Sequence, residues 1–315
     1  MQNDFSLCHE IIENIATVFV GKKSAIELLL TAVLSEGHIM VEDVPGLGKT
    51  LLAKALARSM GGAFKRVQFT SDLLPADITG FNVYNRKTGA FDFQPGPVMT
   101  NVLLADEINR TIPRTQASLL ESMEERQVTV EGKTYQLPRP FLVLATQNPI
   151  ELEGTFPLPE AQLDRFLLRI KLGYPSRQEE NMILERFQEA DPMQDMKAVS
   201  DPVRIEAMQR MCRRIHVSPP VRSYITGLVG RTRSHPAFRY GASPRGSLGL
   251  MRAAQAQAAL DNRSYVLPDD VKKVFEPVLA HRIILKDEEK LRGGTPLDFL
   301  GEIIDQVDPP VAAGG

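Results

Sequence analysis

Cysteine, net charge and long apolar runs are all scarce in this sequence, and each scarcity excludes a class of protein. Only two cysteines, Cys8 and Cys212, occur in 315 residues, too few for a disulfide framework and without the spacing of a metal site. We therefore expect a reducing compartment, of which the cytoplasm is the simplest. Lysine plus arginine number 37 and aspartate plus glutamate 39, a net charge of −2, which argues against a strongly basic nucleic-acid-binding protein.

No apolar segment is long enough to cross a membrane. The most apolar stretch, residues 25–34, is interrupted by Glu27, whereas a spanning helix needs about 20 apolar residues. We accordingly expect no membrane partner. The shares of apolar residues, 43%, and charged residues, 24%, are ordinary for globular domains and predict a folded chain.

The sequence does contain a series of short apolar runs separated by stretches of helical character. Five runs of strand length are rich in Val, Leu, Ile or Phe, and they occupy residues 38–42, 66–69, 101–105, 141–145 and 166–172. Continuous apolar runs are typical of strands buried on both faces of a parallel sheet, and the segments between them can hold crossover helices. The pattern predicts an α/β domain with a parallel sheet, which we assign to residues 1–175.

Two polar interruptions and a change in composition complete the organisation. Residues 81–93 and 127–137 each place strand-like residues around a polar turn, which predicts two β-hairpins. Residues 176–305 are rich in helix formers and predict a smaller all-α domain, with a helix that begins at Ser243-Pro244. We expect residues 306–315 to form a flexible tail.

A phosphate-binding loop follows the first apolar run. Residues 43–50, Asp-Val-Pro-Gly-Leu-Gly-Lys-Thr, have the Gly-Lys-Thr ending of a P-loop, although Asp43 replaces the first glycine. Glycines let backbone N–H groups approach phosphate oxygens, and the following helix N-terminus adds partial positive charge. We predict that Lys49 reaches the β- and γ-phosphates and that the Thr50 hydroxyl binds Mg²⁺. The nucleotide-binding residues expected in this loop are Pro45, Gly46, Leu47, Gly48, Lys49, Thr50 and Leu51.

Polar residues end two of the later apolar runs. Asp106 and Glu107 follow the third run, and ligands of open α/β sheets bind at the carboxyl ends of the strands. We predict that Asp106 holds Mg²⁺ and that Glu107 is the general base for water. The alternative is a helix cap and a first-turn charge, but the P-loop before this pair favours catalysis. Asn148 follows the fourth run, where it either senses the γ-phosphate or only forms an Asn-Pro turn.

The P-loop and the segments LLADEINR, ATQNP, LPEAQLDRF and SPRG occur in this order. Together they resemble the MoxR family of AAA+ ATPases, and the resemblance covers almost the whole chain. It implies a P-loop AAA+ core whose five-stranded parallel sheet is flanked by helices and two hairpin insertions, followed by a small all-α lid. It also implies ATP or ADP with Mg²⁺ as ligands, and a sheet in which the Asn148 strand lies between the P-loop strand and the acidic-pair strand.

The resemblance assigns further roles. Arg165 resembles an arginine finger that reaches the nucleotide of a neighbouring subunit, whereas its local context suggests a salt bridge to Asp164 or Glu160. A finger in trans requires a homo-oligomeric ring, for which six subunits is the expected number. Arg fingers of related NTPases contribute about 10³–10⁵ in rate.

The same resemblance assigns three more roles. Asn148 corresponds to sensor 1, and Val20-Gly21 corresponds to the segment that contacts adenine. Arg245 corresponds to sensor 2 of the lid. It follows Ser243-Pro244 in the first turn of a helix, where the helix dipole disfavours a cation, and such a broken local rule is often functional.

The function implied is ATP hydrolysis that drives chaperone-like remodelling, maturation or metal-cofactor insertion in a partner protein, often one with a von Willebrand A domain. Two alternatives stay open: a magnesium-chelatase-like ATPase subunit and a DNA-directed AAA+ motor. The acidic balance and the few basic residues of the hairpins, one Arg and one Lys in the first and one Lys in the second, argue against the motor. A nucleotide-dependent switch without catalysis would need neither Glu107 nor Arg165.

Overall fold

The computed structural model describes residues 5–148 and 154–310, so residues 311–315 of the predicted tail lie outside the described residues. The strands are β1 (Ile39–Glu42), β2 (Phe64–Gln68), β3 (Gly80–Asn85), β4 (Ala90–Pro95), β5 (Val102–Asp106), β6 (Gln127–Val130), β7 (Lys133–Gln136), β8 (Leu142–Gln147), β9 (Leu168–Ile170), β10 (Phe238–Tyr240) and β11 (Ile284–Leu285). The helices are α1 (Ser6–Ala16), α2 (Lys23–Leu34), α3 (Lys49–Ser59), α4 (Pro75–Thr79), α5 (Pro113–Glu125), α6 (Glu160–Leu163), α7 (Arg177–Phe187), α8 (Pro202–Cys212), α9 (Pro219–Ser234), α10 (Pro244–Leu260), α11 (Pro268–Leu279), α12 (Asp287–Leu291) and α13 (Pro296–Gln306).

A five-stranded parallel sheet in the order β2-β5-β8-β1-β9 forms the centre of the molecule. One row of the sheet joins Leu104 to Leu144, Leu144 to Ile39, and Ile39 to Leu168. Alternate residues of these strands enter two hydrophobic clusters: Ile39 and Leu104 lie in one, and Met40 and Leu103 in the other. The sheet is therefore covered on both faces, which confirms the interpretation of the continuous apolar runs.

The predicted strand placement is confirmed, with strand ends that differ by one or two residues from the predicted runs. The strand that ends at Asn148 lies between the P-loop strand and the acidic-pair strand. The run predicted over 166–172 pairs only over Leu168–Ile170. Its first residue bonds elsewhere, because the Phe166 carbonyl accepts from His281 Nε2 at 2.9 Å and from Arg282 Nη2 at 2.6 Å.

Both predicted hairpins form, and they contact each other. Strands β3 and β4 make one antiparallel pair, and β6 and β7 make the other. The ring of Phe93 stacks on that of Tyr135 with centroids 3.9 Å apart, and Asn82 Nδ2 donates to Glu131 Oε2 at 2.8 Å. The two insertions are therefore joined by direct side-chain contacts.

The second part of the chain is helical, as predicted, with one addition. Strands β10 and β11 form a short antiparallel ribbon. Helix α10 begins at Pro244, where the Ser243 hydroxyl accepts from the Arg245 amide at 3.1 Å. The buried amide of Gln257 donates to Thr31 in helix α2 at 2.8 Å, so the helical part and the α/β part share one continuous core.

Candidate functional site

The P-loop connects β1 to α3 through two glycines with left-handed backbones. Gly46 has φ +87° and Gly48 has φ +80°, values that L-residues rarely adopt. A Cβ on Gly48 would lie 3.0 Å from a ring carbon of Phe19. The two glycines therefore leave the backbone N–H groups of the loop uncovered by side chains. Helix α3 begins directly after the loop at Lys49, and this arrangement binds phosphate.

Asp43 stands where the P-loop pattern has its first glycine, and the structure gives it a separate task. Its buried carboxylate accepts from the backbone N–H of Leu172 and from that of Gly173 at 3.3 Å. Both amides follow β9, so Asp43 ties the base of the loop to the edge strand. The departure from the pattern therefore leaves the phosphate-facing glycines untouched.

Lys49 is held inside the loop. Its Nζ donates to the Asp43 carbonyl at 2.6 Å. Partial burial lowers the pKa of Lys49, and the nearby carboxylates of Asp43, Asp106 and Glu107 oppose that shift. The ammonium therefore lies where a triphosphate would meet both the loop and the acidic strand end.

A polar cavity of about 270 Å³ opens above the P-loop at the carboxyl ends of the strands. We name it the phosphate cavity. It is lined by Asp43, Pro45, Gly46, Gly48, Lys49, Thr50, Arg66, Gln68, Asp106, Glu107, Thr146 and Asn148. The structure thus brings together most of the residues predicted from three separate segments of the sequence.

The acidic pair is held by side chains from two neighbouring strands. Asp106 accepts from Thr146 Oγ1 at 2.6 Å and from Arg66 Nη2 at 2.7 Å. Glu107 accepts from Gln68 Nε2 at 2.8 Å. Arg66, Gln68 and Thr146 were missed by the sequence analysis. A signal was present for two of them, since Arg66 and Gln68 are polar residues that alternate along an otherwise strand-like run at the sheet edge.

Glu107 leaves the strand in an unusual conformation. Its φ is +57°, in the left-handed region, which few non-glycine residues adopt. Its backbone N–H donates to Thr146 Oγ1 at 2.9 Å, so the same hydroxyl fixes both members of the acidic pair. Outliers of this kind concentrate at functional sites, and this one turns the Glu107 side chain into the phosphate cavity.

A second, apolar cavity of about 300 Å³ lies on the other side of the P-loop. It is lined by Val18, Phe19, Val20, Lys22, Gly46, Leu47, Gly48, Leu51, Leu172, Gly173, Pro175, Ile183 and Phe187. We name it the base cavity, because a flat aromatic base suits such a lining. Gly21 is not part of this lining. Its φ is +72°, and a Cβ there would lie 2.2 Å from the Glu179 carboxylate, so the glycine makes room for α7.

These two cavities fit a nucleoside triphosphate with Mg²⁺. They meet at Gly46 and Gly48, which line both, so a base and its phosphates could lie on either side of the loop. The hydroxyl of Thr50 and the carboxylate of Asp106 are the hard oxygen ligands that Mg²⁺ prefers. No group of three or more His, Cys, Asp or Glu side chains suited to a metal occurs in residues 5–148 and 154–310.

Arg165 and Arg245 lie together, but in a third cavity. This cavity, of about 310 Å³, shares no lining residue with the other two, and we name it the arginine cavity. Arg165 Nε lies 3.1 Å from Glu124 Oε2, and Arg245 Nη2 bonds to Glu124 Oε1. The local alternative was an ion pair of Arg165 with Asp164 or Glu160, but the structure pairs Arg165 with Glu124, while Asp164 pairs with Arg282 at 2.7 Å.

The described part of the chain has no helix that is both long and apolar enough to span a membrane.

Comparison with known proteins agrees with this geometry. Residues 38–168 match the family described as "ATPase family associated with various cellular activities (AAA)", and residues 230–299 match the AAA lid domain. The chain is 48% identical to "Uncharacterized protein YeaC" of Bacillus subtilis, over 97% of this chain and 95% of that one. It is 43% identical to "Chaperone MoxR1" of Mycobacterium tuberculosis, over 87% of this chain and 74% of that one. A crystal structure from Cytophaga hutchinsonii superposes with a TM-score of 0.92 at 39% identity, covering 98% of this chain and 96% of that one.

Proposed function

Because the chain belongs to the MoxR family of AAA+ ATPases, we propose that it hydrolyses ATP–Mg²⁺ to remodel or mature a client protein. One observation carries the proposal. Lys49, Thr50, Asp106, Glu107 and Asn148 come from three segments of the sequence and line a single cavity. Their combination of a cation, a hydroxyl, two carboxylates and an amide is the set that phosphoryl transfer to water needs.

Each of these side chains has a distinct task in hydrolysis. Lys49 and the loop amides hold the phosphates, and Glu107 takes the proton of the attacking water. Asn148 orients that water or the γ-phosphate. Mg²⁺, when bound by Thr50 and Asp106, neutralises charge on the phosphates. Val20 and Leu51 line the base cavity and would pack against the base.

The arginine cavity supports a site that is shared between subunits. Arg165 and Arg245 do not line the phosphate cavity of their own chain, so we propose that they reach the nucleotide of a neighbour in a homo-oligomeric ring, for which six is the expected number. Guanidinium groups bind phosphate oxygens through two parallel N–H groups. Within the part of the chain that the structure describes, no residue of the helical part lines the phosphate cavity. A neighbouring subunit would therefore supply the missing cations, Arg165 and Arg245.

The paired hairpins are the proposed contact with the client. Three of their aromatic side chains are exposed by about half or more, namely Phe81, Tyr84 and Phe91, and aromatic residues are enriched in protein interfaces. A relative named as a chaperone supports a client of this kind. We propose a von Willebrand A domain protein, and maturation or metal-cofactor insertion as the outcome.

The shared site is tested by measuring the ATPase rate against protein concentration for wild type, Arg165→Ala, Glu107→Gln and a mixture of the two variants. We expect each variant alone to be nearly inactive. The mixture should recover part of the rate, because some interfaces then combine an intact Glu107 with an intact Arg165. If the specific activity is independent of concentration and the mixture does not recover, each subunit has a complete site of its own. The proposals of a trans arginine and of a ring would then both be wrong.

The client is tested with a Phe81→Ser/Phe91→Ser variant. Both residues lie on the hairpin and outside the three cavities, so basal ATPase activity should be unchanged. A von Willebrand A domain protein from the same genome should stimulate the wild type and fail to stimulate the variant. Equal stimulation of both proteins would move the client contact away from the hairpins.

A further inference from the structure

Glu124 is the centre of the arginine cavity. It lies in the last turn of α5 (Pro113–Glu125), and each of its two carboxylate oxygens contacts a different arginine. Oε2 lies 3.1 Å from Arg165 Nε, and Oε1 bonds to Arg245 Nη2. Arg165 belongs to the α/β part, just before β9, whereas Arg245 opens helix α10. One side chain therefore joins a residue of the sheet domain to a residue of the helical part.

The other two carboxylates of this cavity are already engaged. Asp164 pairs with the buried Arg282 at 2.7 Å. Glu36 pairs with Arg213 at 2.5 Å and with Arg126 at 3.5 Å. The cavity also contains Arg252, so six arginines face three carboxylates. Because positive charge is in excess, the single charge on Glu124 decides how close Arg165 and Arg245 can stay to each other.

The position of Glu124 in its own helix carries a cost. A carboxylate in the last turn faces the negative end of the helix dipole, and no basic residue lies in the last turn of α5. Glu124 is also about one-third exposed, at 35%, so it is not needed to fill the core. Glu124 carries a charge that is unfavourable for its own helix but has two cationic partners. This combination indicates that the function of Glu124 is to bind Arg165 and Arg245.

We propose that Glu124 is a positioning residue for the trans arginines. It holds Arg165 and Arg245 as one convergent pair that meets the phosphates of a nucleotide bound to the neighbouring subunit. Each guanidinium has five N–H donors, so each keeps donors for phosphate while bonded to Glu124. This inference rests on the proposed function, in which Arg165 and Arg245 act on a neighbour.

The first test compares Glu124→Gln with Glu125→Gln, its exposed neighbour in the same turn. The amide preserves the volume and removes the charge, so neither change should affect folding. We expect Glu124→Gln to lower kcat by about tenfold to a hundredfold, the loss typical of a misplaced catalytic group. The KM for ATP should stay unchanged, because the phosphate and base cavities lie elsewhere. Glu125→Gln should behave as wild type.

The second test assigns the defect to one face of the subunit by mixing variants. Glu124→Gln mixed with Glu107→Gln should recover activity, since one interface then combines an intact Glu107 with an intact pair of arginines. Glu124→Gln mixed with Arg165→Ala should not recover, because both changes damage the same face. A wild-type kcat for Glu124→Gln, or recovery in the second mixture, would overturn the inference.

These measurements separate this inference from the proposal beneath it. If Arg165→Ala alone keeps wild-type activity, Arg165 does not act on the neighbouring nucleotide. Both the shared site and the role of Glu124 are then wrong. If Arg165→Ala is inactive while Glu124→Gln is as active as wild type, the trans arginine stands and only the role of Glu124 is lost.

Discussion

The phosphate cavity and the arginine cavity are built in opposite ways. Most residues of the phosphate cavity come from short continuous segments at the ends of β1, β2, β5 and β8, so the sheet order alone brings them together. Glu36, Glu124, Arg165 and Arg245 of the arginine cavity are far apart in the sequence and meet only where helix ends and loops pack. Local patterns were enough to find Lys49, Thr50, Asp106 and Glu107 of the phosphate cavity. Arg165 and Arg245 were assigned only through the family resemblance, and Glu124 was not found from the sequence.

The two cavities also differ in charge, and the difference is complementary. The phosphate cavity presents the carboxylates of Asp106 and Glu107, and Asp106 together with the Thr50 hydroxyl suits a metal ion. The arginine cavity presents six arginines to three carboxylates, which suits phosphate oxygens. In our proposal the phosphate cavity of one subunit holds the nucleotide and its metal ion. The arginine cavity of the neighbouring subunit supplies the cations at the interface between the two.

Within the phosphate cavity, the largest effect should come from Glu107. Glu107→Gln removes the proposed base while it keeps the shape of the side chain, so ATP should still bind. Turnover should fall by about 10²–10⁴-fold, the usual contribution of general base catalysis. ATPase assays with parallel binding of a fluorescent nucleotide measure both quantities. Near-normal turnover would end the assignment and would leave the phosphate cavity as a binding site only.

A second effect should separate stability from catalysis in the arginine cavity. Asp164→Asn leaves the Arg282 guanidinium buried, with 3% of its side chain exposed, and without its carboxylate. Breaking a buried pair from one side should lower the free energy of unfolding by about 3 kcal/mol, as measured by urea titration.

Asp287→Asn is the matched control for that change. Asp287 lies 3.9 Å from Lys290 in an exposed pair, and such pairs contribute little to stability. If both variants unfold at the same urea concentration, the junction between the sheet domain and α11 does not depend on Asp164.

A third effect concerns pH and the residue beneath Glu124. His38 Nε2 donates to the Met123 carbonyl at 3.1 Å, and Nδ1 accepts from the Val143 N–H at 3.0 Å. Burial, with help from Arg126, lowers the pKa of His38 to about 3 from the usual 6.5. The unfolded chain therefore binds the proton first, and stability should be complete above pH 6.5 and fall as the pH drops towards 3.

The contribution of His38 is measured by comparison with His38→Gln. Between pH 6 and pH 5 the wild type should lose about 1 kcal/mol more unfolding free energy than the variant does. The exposed His9→Gln is the control, and its pH profile should follow the wild type. A His38→Gln profile parallel to wild type would show that this histidine is not the source of the acid sensitivity.

The smallest effect should come from Arg66, which the sequence analysis missed. Its guanidinium, about half exposed, pairs with Asp106 at 2.7 Å and so competes with a cation for the same carboxylate. Exposed pairs contribute about 0.2–1 kcal/mol, so Arg66→Ala should lower the Mg²⁺ concentration for half-maximal ATPase activity by up to about fivefold. Lys65→Ala, on the same strand, should leave that concentration unchanged.

Much of the fold could be predicted because its signals are local. The five apolar runs, the two polar hairpins and the Ser243-Pro244 helix start each depend on neighbouring residues, and the structure confirms them. The ribbon of β10 and β11 escaped prediction because its strands have only three and two residues and lie more than forty positions apart. The limits of the two domains remain predictions, since one core runs through both parts.

The sequence by itself determined the chemistry of the P-loop, because glycines, Lys49 and Thr50 act through the backbone conformation that they themselves favour. It also determined that carboxylates would follow a buried strand. Only the tertiary structure decided which side chains hold those carboxylates, and that Glu124 joins Arg165 to Arg245. Such contacts depend on distances between segments that no local preference encodes, because charged side chains interact through space and not along the chain.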